Sequence, residues 1–338
     1  MKNSLSSTVE LVILVTPHFN IATTTAFLDP FRATNYLMGT TVFKWTIVSN
    51  TGGDILASNG LSISTLAIED VSKKLPGVVV VSSSWSPEAH HSSAANNALR
   101  GWSQRGAQIG ALDTGGFILA KAGLLENKRA TVHYEHIDAF IELFPKVSVT
   151  EDLFVIDGTT FTCCGGMASV DLALSILAKL QGEGVANAAA RYLFHHDLRG
   201  PETSQNPSQL EPVGRTTPII VRRAIAIMEI HLETTIAIPD ICEELQISQR
   251  HLNRLFKTYV RKTPVQYYRH IRLDRARGLV TQTEMKFSEI AVASGFNSQI
   301  HFSRAYHERF GLPPKRDRIE GRVPFEFRAW PMHSPKGL

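Results

Sequence analysis

Residues 108–123 read QIGALDTGGFILAKAG, and this stretch sets the reading of the first half of the chain. Gln108–Leu112 is a short apolar strand, Asp113-Thr114-Gly115-Gly116 a sharp turn, and Phe117-Ile118-Leu119-Ala120 the start of an apolar helix. A strand that feeds a helix through a tight turn is one unit of an alternating α/β architecture. Working outward, further strands are expected at Glu10–Thr16, Phe43–Ser49, Gly77–Ser83 and Thr160–Cys164. Val78–Val81 is apolar at every position, as suits a central parallel strand covered on both faces. Helical patterns separate the strands. The expected fold is α/β, with a doubly wound, mostly parallel sheet.

The chain has 338 residues, enough for two domains. No window approaches the roughly 18 apolar residues of a membrane span, so no membrane partner is expected. The opening MKNSLSSTVE runs into VILV without an apolar leader. Cys163, Cys164 and Cys242 form no CxxC pair and fit a reducing, cytoplasmic setting. The pair His90-His91 lacks companions at ligand spacing, so neither metal nor cofactor is expected. Charge is unevenly distributed. Residues 215–338 carry 21 Lys/Arg against 12 Asp/Glu, a net of +9, whereas residues 1–214 carry 14 against 19, a net of −5. An acidic body joined to a basic tail points to nucleic acid as a partner.

At 198–218 the texture becomes LRGPETSQNPSQLEPVGRTTP, the composition of a linker. The expected division is 1–197, a ligand-sensing and dimerisation domain; 198–218, a linker; 219–320, an all-α domain; and 321–338, a tail. In the all-α domain Val221, Ile225, Met228 and Leu232 share one helix face. Pro239 opens a second helix, with Ile241 and Leu245 facing inward. Ser248 caps a third, carrying Leu252 and Phe256. Thr263-Pro264 opens a longer one. Ser288 is placed as the cap of the next, and Ser298 as the cap of the last, closed by Gly311.

These helices contain a duplication. Ile241-Cys242 and Ile247 recur as Ile290-Ala291 and Phe296 at an offset of 49; Ser248, Leu252, Arg254, Phe256 and Pro264 recur as Ser298, Phe302, Arg304, Tyr306 and Pro314 at an offset of 50. Each copy is a helix, a tight turn and a second helix, the plan that sets a recognition helix in a major groove. Two copies read successive groove turns about 34 Å apart. On these residues 219–318 resemble the DNA-binding domain of the AraC/XylS family, whose further signature stands here as Gly295-Phe296, Phe302-Ser303-Arg304, Phe310-Gly311 and Pro313-Pro314. The resemblance implies that Arg250, Asn253 and Arg254 face base edges from the first recognition helix. Gln299, Ile300, Ser303 and Arg304 do so from the second. Arg suits guanine and Asn adenine; Ile300 suits a thymine methyl or touches nothing. Arg254 and Arg304 suit phosphates equally well.

The stretch at 108–123 resembles the nucleophile elbow of the class I glutamine amidotransferase-like superfamily, in its PfpI-type branch. Ala130-Thr131-Val132-His133-Tyr134 and FTCCGGMASVDLALSILA (161–178) match as well, and the flavodoxin-like sandwich of that branch is implied. Combined with an AraC-type tail, this resembles the GlxA-like subgroup of regulators. Catalytic members carry a thiol at the elbow, since thiolate is the strong nucleophile. Asp113 stands there instead, and Thr23 falls near the place of the acidic partner. A catalytically inactive sensor is therefore expected. Asp113 and Trp85 both follow carboxyl ends of parallel strands, where crevices bind ligands. A carboxylate plus an aromatic face suits a cationic nitrogen; alternatively Trp85 covers the sheet and Asp113 caps the following helix. Thr114 and Thr23 complete the expected site, with His133 as a wall or as an internally satisfied histidine.

Subgroup members with Asp-Thr-Gly at the elbow resemble regulators of betaine, carnitine and arginine catabolism. The implied function is a ligand-responsive activator of a catabolic operon. Its ligand would be a small nitrogenous metabolite, and its partners double-stranded operator DNA, RNA polymerase and a second copy of the chain. The alternative is a glyoxalase- or amidase-like enzyme with an accessory DNA-binding tail.

Overall fold

The computed structural model describes residues 8–205 and 217–320, which fall into two compact units divided after Gln205. In chain order the first unit runs β1 (Val9–Val15), α1 (Ile21–Met38), β2 (Phe43–Ser49), β3 (Gly53–Leu56), β4 (Ser62–Ala67), α2 (Ile68–Val71), β5 (Val78–Ser83), α3 (Ser93–Gln104), β6 (Gln108–Asp113) and α4 (Gly115–Lys121). It continues with β7 (Arg129–Ala130), α5 (Ile137–Leu143), β8 (Ser148–Val149), β9 (Phe154–Asp157), β10 (Thr160–Cys163), α6 (Ala168–Gln181) and α7 (Glu183–Tyr192).

Eight strands form one sheet in the order β3-β4-β2-β1-β5-β6-β10-β9. The six from β4 to β10 are mutually parallel, and β3 and β9 pair antiparallel at the edges. Side chains of β1 and β5 alternate between two cores, which explains their unbroken apolar sequence. Leu11, Ile13, Val78 and Val80 pack beneath α1, α6 and α7. Val12, Leu14, Val79 and Val81 pack beneath α3, α4 and α5. The sheet is doubly wound and mostly parallel. The chain leaves β1 toward β2 and returns to β5 on its other side, so a crevice opens at the carboxyl ends of these strands.

The antiparallel edges and the short β7–β8 pair go beyond the expected strands. A further departure lies after α7. Composition marks residues from 198 onward as linker, yet 199–205 are fastened to the first unit. Asp171, with its side chain fully buried, accepts from His195 Nε2 at 2.7 Å and from Arg199 Nε and Nη2 at 2.9 and 2.7 Å. The Leu153 amide donates to Thr203, and Ser204 bridges Asp152. The Gln205 side-chain amide donates to Thr131 Oγ1 at 2.8 Å, Val132 O at 2.9 Å and Asp152 O at 3.1 Å. The remainder of the expected linker up to residue 216, and the expected tail, lie outside the described residues.

The second unit runs α8 (Ile219–Ile230), α9 (Ile238–Glu244), α10 (Gln249–Tyr259), α11 (Pro264–Gln282), α12 (Phe287–Ala293), α13 (Gln299–Phe310) and α14 (Pro314–Glu320). It has two cores, one per copy of the duplication. Ile225, Met228, Ile241, Leu252 and Phe256 form the first; Ile290, Phe302 and Tyr306 form the second. Helix α11 serves both, placing Tyr268 in the first core and Leu273, Ala276 and Val280 in the second. Ser248, Thr263 and Ser298 cap their helices as their spacing predicts. Ser288 does not: the cap is Lys286, two residues earlier, because the Glu289 carboxylate accepts from the Lys286 N–H at 2.9 Å and fixes the start there. Pro239 is the second helical residue, after Ile238. Helix α13 is not the last, since Pro314 opens α14, whose buried Asp317 accepts from Arg277 Nε at 3.0 Å and from the Tyr306 hydroxyl at 2.8 Å.

Candidate ligand site and nucleic-acid interface

Asp113 ends β6 in the left-handed region, at φ +59°, a conformation costly for a residue with a Cβ. The local sequence enforces it. A Cβ at Gly115 would lie 2.3 Å from the Val81 carbonyl oxygen, so only glycine lets α4 start so close to β5. Opposite, Gly165 sits at φ +93°, and a Cβ there would come within 3.0 Å of Asp113 Cβ. Asp113 is 5% exposed. Its Oδ2 accepts from Asn20 Nδ2 at 3.4 Å, and the Ser84 hydroxyl and Thr114 backbone also bond it. Burial outweighs these donors and pushes the carboxyl up to about 7. The neighbouring negative charge of Glu135 pushes in the same direction.

Four of the five expected site residues share this crevice. Thr114 is fully buried, its hydroxyl donating to the Ser84 carbonyl. Thr23 accepts from the Gly166 N–H at 2.7 Å and donates its own N–H to Asn20 Oδ1 at 3.2 Å. The His133 N–H donates to the Asp113 carbonyl at 3.4 Å. Burial lowers the pKa of His133, so its imidazole favours the neutral form. Trp85 follows Ser84 beyond β5, half-buried, with its backbone bonded to His90. No side chain caps α4, whose preceding residue is Thr114. Sequence spacing does not mark Asn20, Ser84 or Glu135. Cys163 and Cys164 are buried, and the Cys164 thiol is pushed up by its bond to Cys163 and by burial. That is the reverse of an activated nucleophile.

In the second unit, Leu252 and Phe256 anchor α10 in the core, and Arg250 and Arg254 are exposed. A groove of about 910 Å³ runs along this helix, lined by Ser248, Arg250, Asn253, Arg254 and Lys257 among others. Asn253 Nδ2 donates to Gln249 O at 3.0 Å, and Arg254 bonds His251 Nδ1 at 3.0 Å. On α13, Phe302 and Tyr306 are buried, while Gln299, Ile300 and Arg304 are exposed and Ser303 half-buried. The exposed Ile300, at 73%, stands out on this polar face. Each helix-turn-helix turns through a left-handed residue, Gln246 at φ +53° and Gly295 at φ +71°. Arg272 holds the second turn, donating to the carbonyls of Ser294 and Gly295 and lying 4.4 Å over the Phe296 ring. Among the described residues no helix is long and apolar enough to cross a membrane.

Comparisons with known proteins match this two-part construction. The DJ-1/PfpI family profile covers residues 13–179, and a helix-turn-helix domain profile covers 241–319. The HTH-type transcriptional regulator CdhR of Pseudomonas aeruginosa is 35% identical over 90% of this chain and 90% of its own length. The regulator GlxA of Rhizobium meliloti is 31% identical over 89% of this chain and 93% of its own. GbdR of Pseudomonas aeruginosa is 32% identical over 90% and 83%. Among solved structures, a ThiJ/PfpI family protein from Pseudomonas syringae shares the fold of the first unit. It has a TM-score of 0.52, with 21% identity over 71% of this chain and 90% of that one. The chain belongs to the AraC-type helix-turn-helix transcriptional regulators that carry an N-terminal DJ-1/PfpI domain.

Proposed function

We propose that this regulator is switched by a small nitrogenous metabolite, a quaternary amine such as betaine or carnitine or a basic amino acid, bound in a non-catalytic crevice at Asp113. The observation that carries this reading is Asp113 itself: a buried carboxylate at the carboxyl end of β6, beside the β1–β5 switch point, in a domain joined to a DNA-binding unit. Thr23, Thr114, His133 and Trp85 form its surroundings, with the Trp85 ring offering a face to a cation. Arg250, Asn253, Arg254, Gln299, Ile300, Ser303 and Arg304 face the operator. The regulator acts as an activator with RNA polymerase, as a homodimer. Exposed Tyr36, Met38 and Phe194 give the first unit apolar surface for a second copy.

An enzymatic role is favoured only by the strained elbow, which nucleophiles also occupy. A carboxylate there, Thr23 beside it and the raised Cys164 thiol all speak for sensing.

Calorimetric titration of the full chain and of Asp113→Asn with glycine betaine, carnitine and arginine tests the reading. One of the three is expected to bind the parent. The variant should lose roughly ten-fold or more in affinity, because a charge-assisted contact contributes about 1.5–3 kcal/mol. Equal dissociation constants would remove Asp113 from the site.

A further inference from the structure

The turn after Val132 carries three side chains with metal-ligand chemistry. His133, Glu135 and His136 each bring one ligating atom to within 4.8 Å of the other two. We propose that they form a site for a divalent first-row transition metal, held by two imidazole nitrogens and one carboxylate oxygen. This donor set suits zinc, cobalt or nickel, and three protein ligands leave a coordination position open.

The turn is fixed at both ends. The His133 N–H is bonded to the Asp113 carbonyl, and the His136 N–H donates to His133 O at 2.8 Å. His136 is buried, its ring edge-on to Phe117 at 6.1 Å. The His133 ring lies 6.1 Å from it at 67°, with Nδ1 4.0 Å from Glu135 Oε2. With metal–nitrogen bonds of about 2.0–2.1 Å, tetrahedral donors stand roughly 3.3–3.5 Å apart, so donors within 4.8 Å of one another must close in by up to about 1.5 Å. That movement falls on the more exposed side chains, Glu135 at 62% and His133 at 32%. A metal there would stiffen the wall of the crevice that contacts Asp113.

The site shares His133 with the proposed ligand crevice but does not depend on an organic ligand. The test is calorimetric titration of the chelator-treated full chain with zinc chloride, in the parent and in Glu135→Gln, His133→Ala and His136→Ala. The parent should bind one zinc per chain. Each variant should lose at least the roughly ten-fold affinity that even an outer-shell partner of a metal contributes. Glu135 is exposed, so Glu135→Gln keeps the fold and stands as the decisive variant, with circular dichroism melts as the check. No zinc binding by the parent overturns the proposal, as does unchanged binding by Glu135→Gln. Because zinc alone is the probe, a negative result leaves the amine titrations standing, and failure of those titrations leaves this site standing.

Discussion

Asn20 divides its side chain between a helix and a carboxylate: Oδ1 accepts the Thr23 N–H at 3.2 Å while Nδ2 donates to Asp113 Oδ2 at 3.4 Å. Serine retains the capping oxygen without the reach to Asp113; alanine has neither. Asn20→Ala should lose about 0.5–2 kcal/mol of stability as a cap deletion, and Asn20→Ser much less. In both variants the Asp113 pKa should rise further, because a bond that favours the charged form is gone. Thermal melts separate the first effect, and carboxyl titration by NMR the second. Parent-like titration in both variants would show that Asn20 does not hold the charge.

Asp113 also makes stability depend on pH. Its folded value of about 7 lies above the ordinary 3.8, so the folded state binds this proton more tightly than the unfolded one. The resulting stabilisation is complete below about pH 4 and is lost as pH rises through about 7, a span on the order of 4 kcal/mol. Asn has no charge to bury. Asp113→Asn should therefore melt above the parent near pH 8, and the gap should narrow as pH falls and close below about pH 4. A gap independent of pH would contradict this.

The recognition helices make separable predictions. Arg250→Ala and Asn253→Ala should each relax base preference in one part of the operator, by roughly 1–3 kcal/mol where the removed side chain makes a two-pronged hydrogen-bond pair with a base. Gln299→Ala should act about one helical turn away. Overall affinity should fall steeply with salt, because Lys and Arg release phosphate counterions. Base-preference profiles of the three variants, compared with the parent, are the check, and unchanged profiles would reject the assignment.

Gly295 offers a stability test confined to the second unit. A Cβ there would stand 2.6 Å from the Leu232 carbonyl oxygen, on a backbone already at φ +71°. Gly295→Ala should destabilise that unit by at least the roughly 1–2 kcal/mol of a left-handed residue, and the clash adds to it. Thermal melts should show the second unit's transition shifted down with the first unit's unmoved.

The central sheet and the duplicated helices are legible in the sequence because burial on both faces and a repeated pattern leave direct marks. Val78–Val81 lies wholly inside, and Leu252 and Phe302 sit at equivalent core positions. Strand β4 leaves no such mark. It reads SISTLA, meets β2 at only Val48–Leu66 and Ser49–Ala67, and half its side chains face solvent. Helix α14 reads PKRDRIE, and what buries it is an acid whose partner Arg277 lies 40 residues earlier. In the crevice, Asp113 is visible because it stands where a thiol is expected. Asn20 is brought to it from 93 residues away by the sheet order, and no local pattern records that distance.

Gln205 gives the boundary between the units a mechanical meaning. Its amide grips residues 131, 132 and 152, and His133, next along the chain from Val132, is bonded to the Asp113 carbonyl. The chain thus departs for the second unit from an anchorage one residue away from the crevice wall. Gln205 is the last described residue of the first unit, and it is anchored there. A rearrangement of residues 131 and 132 would therefore displace the partners that hold Gln205.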